Sequence, residues 1–568
     1  MRSRTDWMRG WLVRQLQAGA SRRGAVVAGA VLALAIAWGP VQRAWGFSPM
    51  ALAHRLAPRL FQTSDGCMAC HNGLMTTQGE DVSIGTAWRA MMMANSARDP
   101  YWQASVRREV LDHPTLRASI EDECSKCHMP MMRYQAHADG GAGAVFANLP
   151  IDGEGDESHA LAADGVSCTL CHQVLATGLG RRESFVGGFS IDQSVAEGAR
   201  SVFGPHRVDE GRRTIMRSSS GYLPTEGDHT RSSELCATCH TLYTTGHDAA
   251  GAVVGSLPEQ VPYLEWKRSR FAGSASCQSC HMPVARGAMG FSSVWGEARD
   301  SLSRHDFRGG NFFILRMLNR HRGELGVRAL SQELEGAATR TEMHLATAAA
   351  EVRADSVHLD GTRLHVAVAV HNLGGHKLPT AYPSRRAWLH VQVRDGDGHL
   401  VFESGAPRPD GSIAGNDNDV DGRRFEPHYR RIDSPSQVQI YESVMADANG
   451  VPTTGLLSAV RFVKDNRLLP DGFAREGAPD DVAVRGEAAS DPDFDGGGDR
   501  VDYDIDVGSA AGPFDLSVTL RFQPIAFRWA RNLGTQPSEE TNRFGRYYAG
   551  MSAGASTTLA SVRTTVAR

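Results

Sequence analysis

Apolar and polar residues alternate along much of the C-terminal part of the chain. Every second position is apolar in three stretches: Leu364, Val366, Val368 and Val370; Leu389, Val391 and Val393; and Leu516, Val518, Leu520 and Phe522. A period of two is typical of β-strands that bury one face. The turn sequence Asp395-Gly396-Asp397-Gly398 lies between two such runs and predicts a hairpin. From about residue 352 the pattern therefore predicts an antiparallel β-sandwich of roughly 200 residues.

The preceding half of the chain lacks this alternation and is divided by loop-forming residues. Residues 100–117 and 326–351 favour helices, whereas the Gly- and Asp-rich stretch 138–143 is typical of a loop. We expect a mainly helical, loop-rich domain at residues 47–335, followed by the β-sandwich domain at residues 336–568. The predicted fold class is therefore multidomain α+β.

The first 46 residues predict an export signal. They combine a basic start with an apolar run at residues 24–38 and small residues at Ala44 and Gly46. The apolar run is short for a membrane span. We expect the signal peptide, residues 1–46, to be removed and the mature chain to be periplasmic or secreted, with no integral membrane span. A retained N-terminal anchor is the alternative.

All ten cysteines belong to five copies of Cys-x-x-Cys-His. The copies are Cys67, Cys70 and His71; Cys124, Cys127 and His128; Cys168, Cys171 and His172; Cys236, Cys239 and His240; and Cys277, Cys280 and His281. Two thiols at this spacing can form thioethers to the vinyl groups of one haem, while the next imidazole ligates the iron. Zinc sites and redox dithiols also favour Cys-x-x-Cys, but neither requires a histidine after every pair. The sequence therefore predicts five haem c groups.

A low-spin haem iron needs a second axial ligand, normally His or Met. Four histidines of the same half lie near Gly, Pro or Asp rather than in apolar runs: His159, His206, His229 and His305. Such positions suit loops that fold over a haem face, so these four are candidate iron ligands. An exposed loop histidine is the alternative for each.

Several segments carry a family resemblance. They are the Cys-His-Met-Pro sequences at 127–130 and 280–283, the run 233–243, the sequence 164–168, and the run 305–311. In these segments the chain resembles multihaem c-type cytochromes of the cytochrome c-554 and hydroxylamine oxidoreductase type, over most of residues 60–325. The resemblance implies bis-histidine haems in closely stacked pairs, and it strengthens His229 and His305 as ligands.

The loop at residues 375–388 is similar to the segment with which a β-sandwich appended to some multihaem cytochromes contacts the haem domain. That resemblance implies His376 as a further iron ligand and Arg385 or Arg386 as partners of haem propionates. A loop that closes the sandwich edge is the alternative. The chain departs from pentahaem nitrite reductases because it has no Cys-x-x-Cys-Lys, and it has too few sites for an octahaem enzyme.

Two acidic runs make calcium a candidate second cofactor. Residues 491–499 place carboxylates at Asp491, Asp493, Asp495 and Asp499 around a Gly-rich turn, and residues 416–421 offer similar ligands. Oxygen-rich turns of this kind suit a hard cation. The first run lacks the bidentate Glu of an EF-hand, and solvated acidic turns are the alternative.

The charge balance narrows the choice of partners. The full chain has a formal charge of −4, and residues 1–46 carry seven Arg and one Asp, so the mature chain stands at −10. An acidic protein is not expected to bind nucleic acid and favours redox partner proteins with basic surfaces. The oligomeric state is left open.

Two functions fit these features. The first is an electron carrier whose five haems pass electrons between redox partners in the periplasm or at the cell surface. The second is a multihaem oxidoreductase, in which one open-coordination haem acts on a small nitrogen or sulfur oxyanion or on hydroxylamine. The missing lysine-ligated site and the surplus of distal histidines favour the carrier.

Overall fold

The computed structural model describes residues 59–567, so the signal predicted at residues 1–46 lies outside the described part of the chain. Within residues 59–567, no helix combines the length and the apolar character that a membrane crossing requires. The described residues contain both helices and antiparallel sheets. The predicted mixed α+β content is therefore confirmed.

The helices are concentrated before residue 350. Their bounds are α1 (Asp65–Met68), α2 (Ile84–Arg89), α3 (Pro100–Asp112), α4 (Arg117–His128), α5 (Pro130–Ala138), α6 (Glu157–Ala163), α7 (Cys168–Cys171), α8 (Glu210–Ser220), α9 (Ser233–Ala237), α10 (Pro262–Trp266), α11 (Cys277–His281), α12 (Phe312–Arg320), α13 (Ser331–Ala348), α14 (Asp417–Val420), α15 (Phe527–Leu533) and α16 (Glu539–Ala549).

The strands form two larger sheets and three two-stranded ribbons. Their bounds are β1 (Arg200–Gly204), β2 (Tyr222–Glu226), β3 (Leu242–His247), β4 (Val253–Gln260), β5 (Val284–Gly290), β6 (Ala298–Ser303), β7 (Ala350–Asp360), β8 (Arg363–Asn372), β9 (Arg386–Arg394), β10 (Leu400–Ser404), β11 (Arg431–Ile432), β12 (Ile440–Ala446), β13 (Pro452–Thr453), β14 (Arg461–Asp465), β15 (Gly498–Asp506), β16 (Phe514–Gln523) and β17 (Thr557–Val566).

The helix α3 shows how local sequence sets an element boundary. Asp99 is its N-cap, and the Asp99 carboxylate accepts hydrogen bonds from the backbone N–H groups of Tyr101 and Trp102. Pro100 occupies the first helical position, where its missing N–H costs nothing. The helix ends at Asp112, two residues before Pro114, which cannot continue it.

The alternating stretches form strands of both larger sheets. One sheet has the order β11-β15-β8-β7, and the other has the order β13-β12-β9-β16-β17, with β10 beside β9 and β14 beside β12. Val368 pairs with Val501 across β8 and β15, and Val391 pairs with Val518 across β9 and β16. The predicted hairpin at residues 395–398 joins β9 to the antiparallel β10.

One apolar cluster receives side chains from both sheets and from the helices before them. It contains Val368 and Val391 together with Phe312 and Met317 of α12 and Tyr101 of α3. Full burial of a large apolar side chain contributes about 1.5–3 kcal/mol. Residues on both sides of the predicted boundary between 335 and 336 therefore share one apolar core. The division into two domains stays a prediction.

The N-terminal half contains strands that the sequence pattern did not predict. It holds three ribbons, namely the parallel pair β1–β2 and the antiparallel pairs β3–β4 and β5–β6. These strands lack a long apolar alternation; in β4, for example, Val253 and Val254 are exposed and Leu257 is buried. Backbone pairing, rather than a buried face, defines them, so a search for period two misses them.

The start of β9 carries a buried ion pair that joins the seven-stranded sheet to α14. The guanidinium of Arg386 donates to both carboxylate oxygens of Asp419, at 2.9 and 3.1 Å, and the two side chains are 1% and 3% exposed. Removing one member of such a pair leaves an uncompensated charge in the interior.

The substitution Asp419→Asn is therefore expected to lower the free energy of unfolding by about 3 kcal/mol. Denaturant titration of the intact protein measures this change. Asp502→Asn is the matched control because Asp502 pairs with Arg500 at the surface, where loss of a pair changes stability by roughly 1 kcal/mol or less. Equal effects of the two substitutions would contradict the assignment.

Candidate functional site

Each Cys-x-x-Cys-His sequence folds as one helical turn. Three of the turns close with a 3.0 Å hydrogen bond from the histidine N–H to the carbonyl of the first cysteine, at His71, His172 and His240. The other two lie within α4 and α11. A helical turn places residues i, i+3 and i+4 on one face, so both thiols and the imidazole can address the same group.

Backbone carbonyls from distant segments hold four of the five motif imidazoles. The Nδ1 atoms of His71 and His172 lie 2.6 Å from the carbonyl oxygens of Phe291 and Phe203. His128 Nδ1 lies 3.1 Å from the Ser96 carbonyl. His281 Nδ1 makes the same type of bond to the Arg308 carbonyl. A carbonyl can only accept, so Nδ1 carries the proton and Nε2 is left with a free lone pair.

The five turns form one connected group. Hydrogen-bonding contacts between thiols join the first and third turns through Cys67 and Cys168, and the second and fourth through Cys127 and Cys239. The fourth and fifth turns meet through Cys236 and Cys277, and Cys171 of the third turn interacts electrostatically with Cys239 of the fourth. All ten cysteines are free of disulfide bonds. The turns are therefore arranged as neighbours, although they are far apart in sequence.

The environment of the thiols differs along this group. Burial raises the pKa of Cys171 to about 12. At Cys277, the hydrogen bond with Cys236 lowers the pKa to about 7 despite burial. Burial also lowers the pKa of His128 to about 4 and that of His240 to about 4. These imidazoles are neutral at physiological pH, which is the form that binds a metal.

The geometry of the turns does not match a structural zinc site. Within residues 59–567, ligand atoms of at least three Cys, His, Asp or Glu residues come within 4.8 Å of one another at His428, Asp491 and Asp499. No such group in that range includes a Cys-x-x-Cys-His residue. A tetrahedral zinc site requires four converging ligands, so the zinc alternative is disfavoured.

Two of the predicted distal histidines face a motif imidazole. The rings of His305 and His172 have centroids 6.5 Å apart and planes 20° apart. The rings of His376 and His281 have centroids 6.0 Å apart and planes 20° apart. His305 and His376 each place Nδ1 against a backbone carbonyl, at 3.1 and 3.2 Å. Their Nε2 atoms are therefore the ones available to a ligand.

The other three predicted ligands have different surroundings. His229 lies edge-on to Phe203, with centroids 5.0 Å apart, and His206 lies against Phe291 at 4.9 Å. His229 and His159 use Nε2 in contacts with backbone carbonyls. Within residues 59–567 no ring contact joins His159, His206 or His229 to a motif histidine. Their role as ligands stays a prediction.

Sequence reasoning did not single out two residues that contact the motif imidazoles. Trp102 of α3 stacks on His128 with centroids 4.4 Å apart and planes 5° apart. His344 of α13 lies 6.5 Å from His281, with planes 61° apart. Neither residue has a sequence signal of its own, because each reaches the motif through the packing of a long helix.

A buried charge network holds the loop that carries His376. The Lys377 ammonium donates to Asp465 at 2.6 Å, and the guanidinium of Arg467 donates two hydrogen bonds of 2.8 Å to the same carboxylate. Glu265 of α10 accepts from the backbone N–H of Lys377 at 2.9 Å and pairs with Arg467 at 3.3 Å. Two cations and two anions thus fix the loop beside α10.

The two arginines of the predicted propionate-binding pair have different partners. Arg386 is engaged by Asp419 in the buried pair described above. Arg385 instead lies near His240 and His376, whose pKa values it lowers together with the larger effect of burial. Arg385 therefore interacts with a motif histidine, whereas the charge of Arg386 is already neutralised, and propionate binding by either arginine stays a prediction.

The first predicted calcium run brings Asp491 and Asp499 together with His428. The His428 Nδ1 atom accepts from the amides of Gln439 and Asn466, at 3.0 and 3.1 Å, and both amide oxygens accept backbone N–H groups. The ring proton therefore lies on Nε2, 3.2 Å from Asp491. The imidazole acts as a donor to the carboxylate, and calcium at this run stays a prediction.

Two carboxylates of the second acidic run are paired with arginines. Asp419 pairs with Arg386, and Asp417 pairs with Arg424. Asn416 serves as the N-cap of α14, where its side chain accepts from the backbone N–H of Asn418. Asp421 accepts a backbone N–H from Arg423, and calcium at this run stays a prediction.

Comparison with known proteins adds one distant similarity. No protein-family model and no curated protein matches the chain. The crystal structure of a penta-heme cytochrome c552 from Thermochromatium tepidum is 15% identical, and the match covers 90% of this chain and 100% of that one with a TM-score of 0.49. A likeness of this degree is too weak to support an inference about fold or function.

The Asp465 network predicts a specific acid sensitivity. Burial alone would raise the pKa of Asp465, but the charges of Arg467 and Lys377 outweigh it and lower the pKa to about 2. The stabilisation is therefore complete above the unfolded-state pKa of about 3.9 and is lost as the pH falls from about 4 to about 2.

In Asp465→Asn, the free energy of unfolding is expected to decrease less steeply between about pH 4 and pH 2 than in the wild type. At neutral pH the substitution is expected to lower the free energy of unfolding by about 3 kcal/mol. Denaturant titrations at several pH values measure both effects. Asp502→Asn should retain the wild-type acid profile. An unchanged slope in Asp465→Asn would contradict the role of this carboxylate.

Proposed function

We propose that this chain is a five-haem c-type cytochrome that transfers electrons between redox partners in the periplasm or at the cell surface. The observation that carries the proposal is the repeated hydrogen bond from motif imidazole Nδ1 to a backbone carbonyl. It leaves Nε2 free of this backbone contact, and the helical turn places the histidine on the same face as both cysteines. Metal-ligating histidines are held in this way by their other ring nitrogen.

The residues present fit haem c at each turn. The ten cysteines would form the thioethers, and His71, His128, His172, His240 and His281 would be the proximal ligands. Bound haem supplies one-electron redox chemistry, and the protein sets its potential through ligation, hydrogen bonding and burial. The carbonyl bonds to Nδ1 increase the basicity of the ligating imidazole, which favours the oxidised iron.

His305 and His376 are the proposed distal ligands opposite His172 and His281. A first-row metal binds imidazole nitrogen at about 2.0 Å, so two imidazoles on opposite sides of it have centroids roughly 6 Å apart. The observed separations of 6.5 and 6.0 Å match this value. The charge network at Lys377 supports the second pair because it fixes the adjacent His376.

The contacts between thiols of different turns support a continuous path. Neighbouring turns meet at Cys67 and Cys168, at Cys127 and Cys239, and at Cys236 and Cys277, and Cys171 interacts electrostatically with Cys239. Groups anchored at these turns lie beside one another, so an electron need not cross a long stretch of protein. The function of a carrier depends on this adjacency.

We further propose a haem domain at residues 47–335 and a β-sandwich at residues 336–568, of the cytochrome c-554 and hydroxylamine oxidoreductase type. The two larger sheets and their common apolar cluster support the sandwich. The acidic charge of the exported chain suits a partner with a basic surface. Calcium at residues 491–499 would stabilise the sandwich and take no part in electron transfer.

The surroundings of His240 favour the oxidoreductase as a second candidate. Within residues 59–567, no ring contact places a histidine opposite His240, whereas Arg385 lies nearby. An iron held there without a second protein ligand could bind a small molecule, and the guanidinium could hold an anion. The carrier is the better supported of the two because two turns already have facing histidines.

Low-temperature electron paramagnetic resonance of the oxidised protein separates the two candidates. The carrier is expected to show only low-spin ferric signals that do not change with nitrite, hydroxylamine or cyanide. A high-spin ferric signal that these molecules perturb would contradict the carrier and support the oxidoreductase.

His305→Ala is expected to convert one haem from low spin to high spin, because the iron at His172 loses its second ligand. The same resonance measurement and the absorption spectrum detect this change. His358→Ala is the control, since His358 lies on β7 and stacks on His365 of β8. A His305→Ala protein whose spectrum stays fully low-spin would exclude His305 as a ligand.

A further inference from the structure

Glu259 is a carboxylate at a core position of β4. Leu257 and Glu259 are both buried on this strand, at alternate positions where the pattern favours apolar side chains. Glu259 is 5% exposed, and its carboxylate accepts a hydrogen bond from Thr244 Oγ1 of β3 at 2.5 Å. Among residues 59–567, no cation forms an ion pair with it. A negative charge here has therefore lost water without gaining an opposite charge.

The β3–β4 ribbon brings Glu259 to the junction of two Cys-x-x-Cys-His turns. β3 begins at Leu242, two residues after the fourth turn's His240, and Leu242 pairs with Gln260 of β4. On its other side, Glu259 interacts electrostatically with Cys124 and Cys127 of the second turn. The second and fourth turns are themselves in contact, so groups held by either turn lie close to this carboxylate.

A second buried carboxylate faces the same region but is held differently. Glu109 of α3 is 7% exposed and accepts the backbone N–H groups of Leu456 and Leu457, at 2.7 and 3.3 Å. Both carboxylates act on Tyr382. Burial raises the pKa of Glu109 to about 7 and that of Glu259 to about 7. Two backbone donors stabilise the charged form of Glu109, whereas Glu259 has one hydroxyl.

The other titratable groups around β4 are neutral, exposed or already paired. Burial raises the pKa values of Tyr243 and Tyr382, which keeps both neutral at physiological pH. His247 lies at the far end of the ribbon, and Arg461 of β14 is exposed. The remaining charged groups of β14, which packs against β4, have partners: Lys464 with Glu442, and Asp465 with Lys377 and Arg467. Haem attachment converts the thiols of the second turn to thioethers, which do not titrate.

We propose that Glu259 takes up one proton from water when a haem at the second or fourth turn accepts one electron from a redox partner, and releases it when the electron leaves. The carboxylate becomes a carboxylic acid and then a carboxylate again. The added electron removes a positive charge nearby, and a more negative environment favours the neutral acid. By linkage, the proton stabilises the reduced state by the same free energy. The inference rests on the proposed function, because it requires haem at these turns.

The test compares the haem-loaded wild type with Glu259→Gln, Thr244→Val and Glu109→Gln. Glu123→Gln is the matched control: Glu123 also acts on the cysteines of the second turn, but it is 50% exposed and pairs with Lys126. Midpoint potentials are measured by spectroelectrochemical titration between about pH 5 and pH 9. Infrared difference spectra recorded at the same electrode detect the C=O stretch of a carboxylic acid that forms on reduction.

In the wild type, at least one midpoint potential is expected to fall as the pH rises around neutrality. The fall reaches at most about 59 mV per pH unit, the equivalent of a tenfold change in proton concentration for one electron. Glu259→Gln loses this slope and the infrared band, because glutamine resembles the neutral acid at every pH. Thr244→Val moves the slope to higher pH, because the Thr244 hydrogen bond lowers the pKa of Glu259. Glu123→Gln and Glu109→Gln keep a slope.

The proposal is overturned if the wild-type potentials do not change with pH, or if the slope persists in Glu259→Gln. The second result assigns the proton to another group, such as Glu109 or a haem propionate. If Glu259→Gln does not fold, Thr244→Val decides the question, and an unshifted slope overturns the proposal. Haem content of the same samples separates this failure from that of the proposed function. A protein with five haems and no such slope loses only the proton site, whereas a protein without haem loses both.

Discussion

The hydrogen bond between a motif imidazole and a remote carbonyl is the interaction on which the arrangement of the N-terminal half depends. A Cys-x-x-Cys-His turn by itself fixes the two thiols but leaves the imidazole free to rotate. The carbonyl of Phe291 follows β5, and that of Phe203 lies in β1. The short ribbons therefore supply or adjoin the backbone carbonyls that orient His71 and His172, although their apolar patterns are too weak to predict them from the sequence.

The sequence predicted those features that depend on local chemistry. The five turns follow from cysteine spacing, and β8, β9 and β16 follow from period-two alternation, because each pattern is complete within a few residues. The three ribbons and the stacking of Trp102 on His128 depend on tertiary packing and leave no such pattern. Among the candidate ligands, the sequence offered no means to separate His305, which faces His172, from His159, which makes no ring contact with a motif imidazole within residues 59–567.

The C-terminal half supplies one of the two histidines that face a motif imidazole. The segment between β8 and β9 carries His376 to the fifth turn, and Lys377, Asp465 and Arg467 fix it there through a balanced set of buried charges. The two arginines that follow in this segment, Arg385 and Arg386, have different partners. Arg386 begins β9 and is neutralised by Asp419 of α14, whereas Arg385 donates to the carbonyl of Thr380 and to the side chain of Asn311.

The central claim is that five haems are attached to this polypeptide through its ten cysteines. Intact mass measured under denaturing conditions tests it most directly, because thioether bonds survive unfolding whereas coordination and packing do not. The account predicts a chain, exported by a host that attaches haem c, whose mass exceeds that of the polypeptide by five haem groups. A mass equal to the bare polypeptide, with thiols that react with an alkylating reagent, would contradict it.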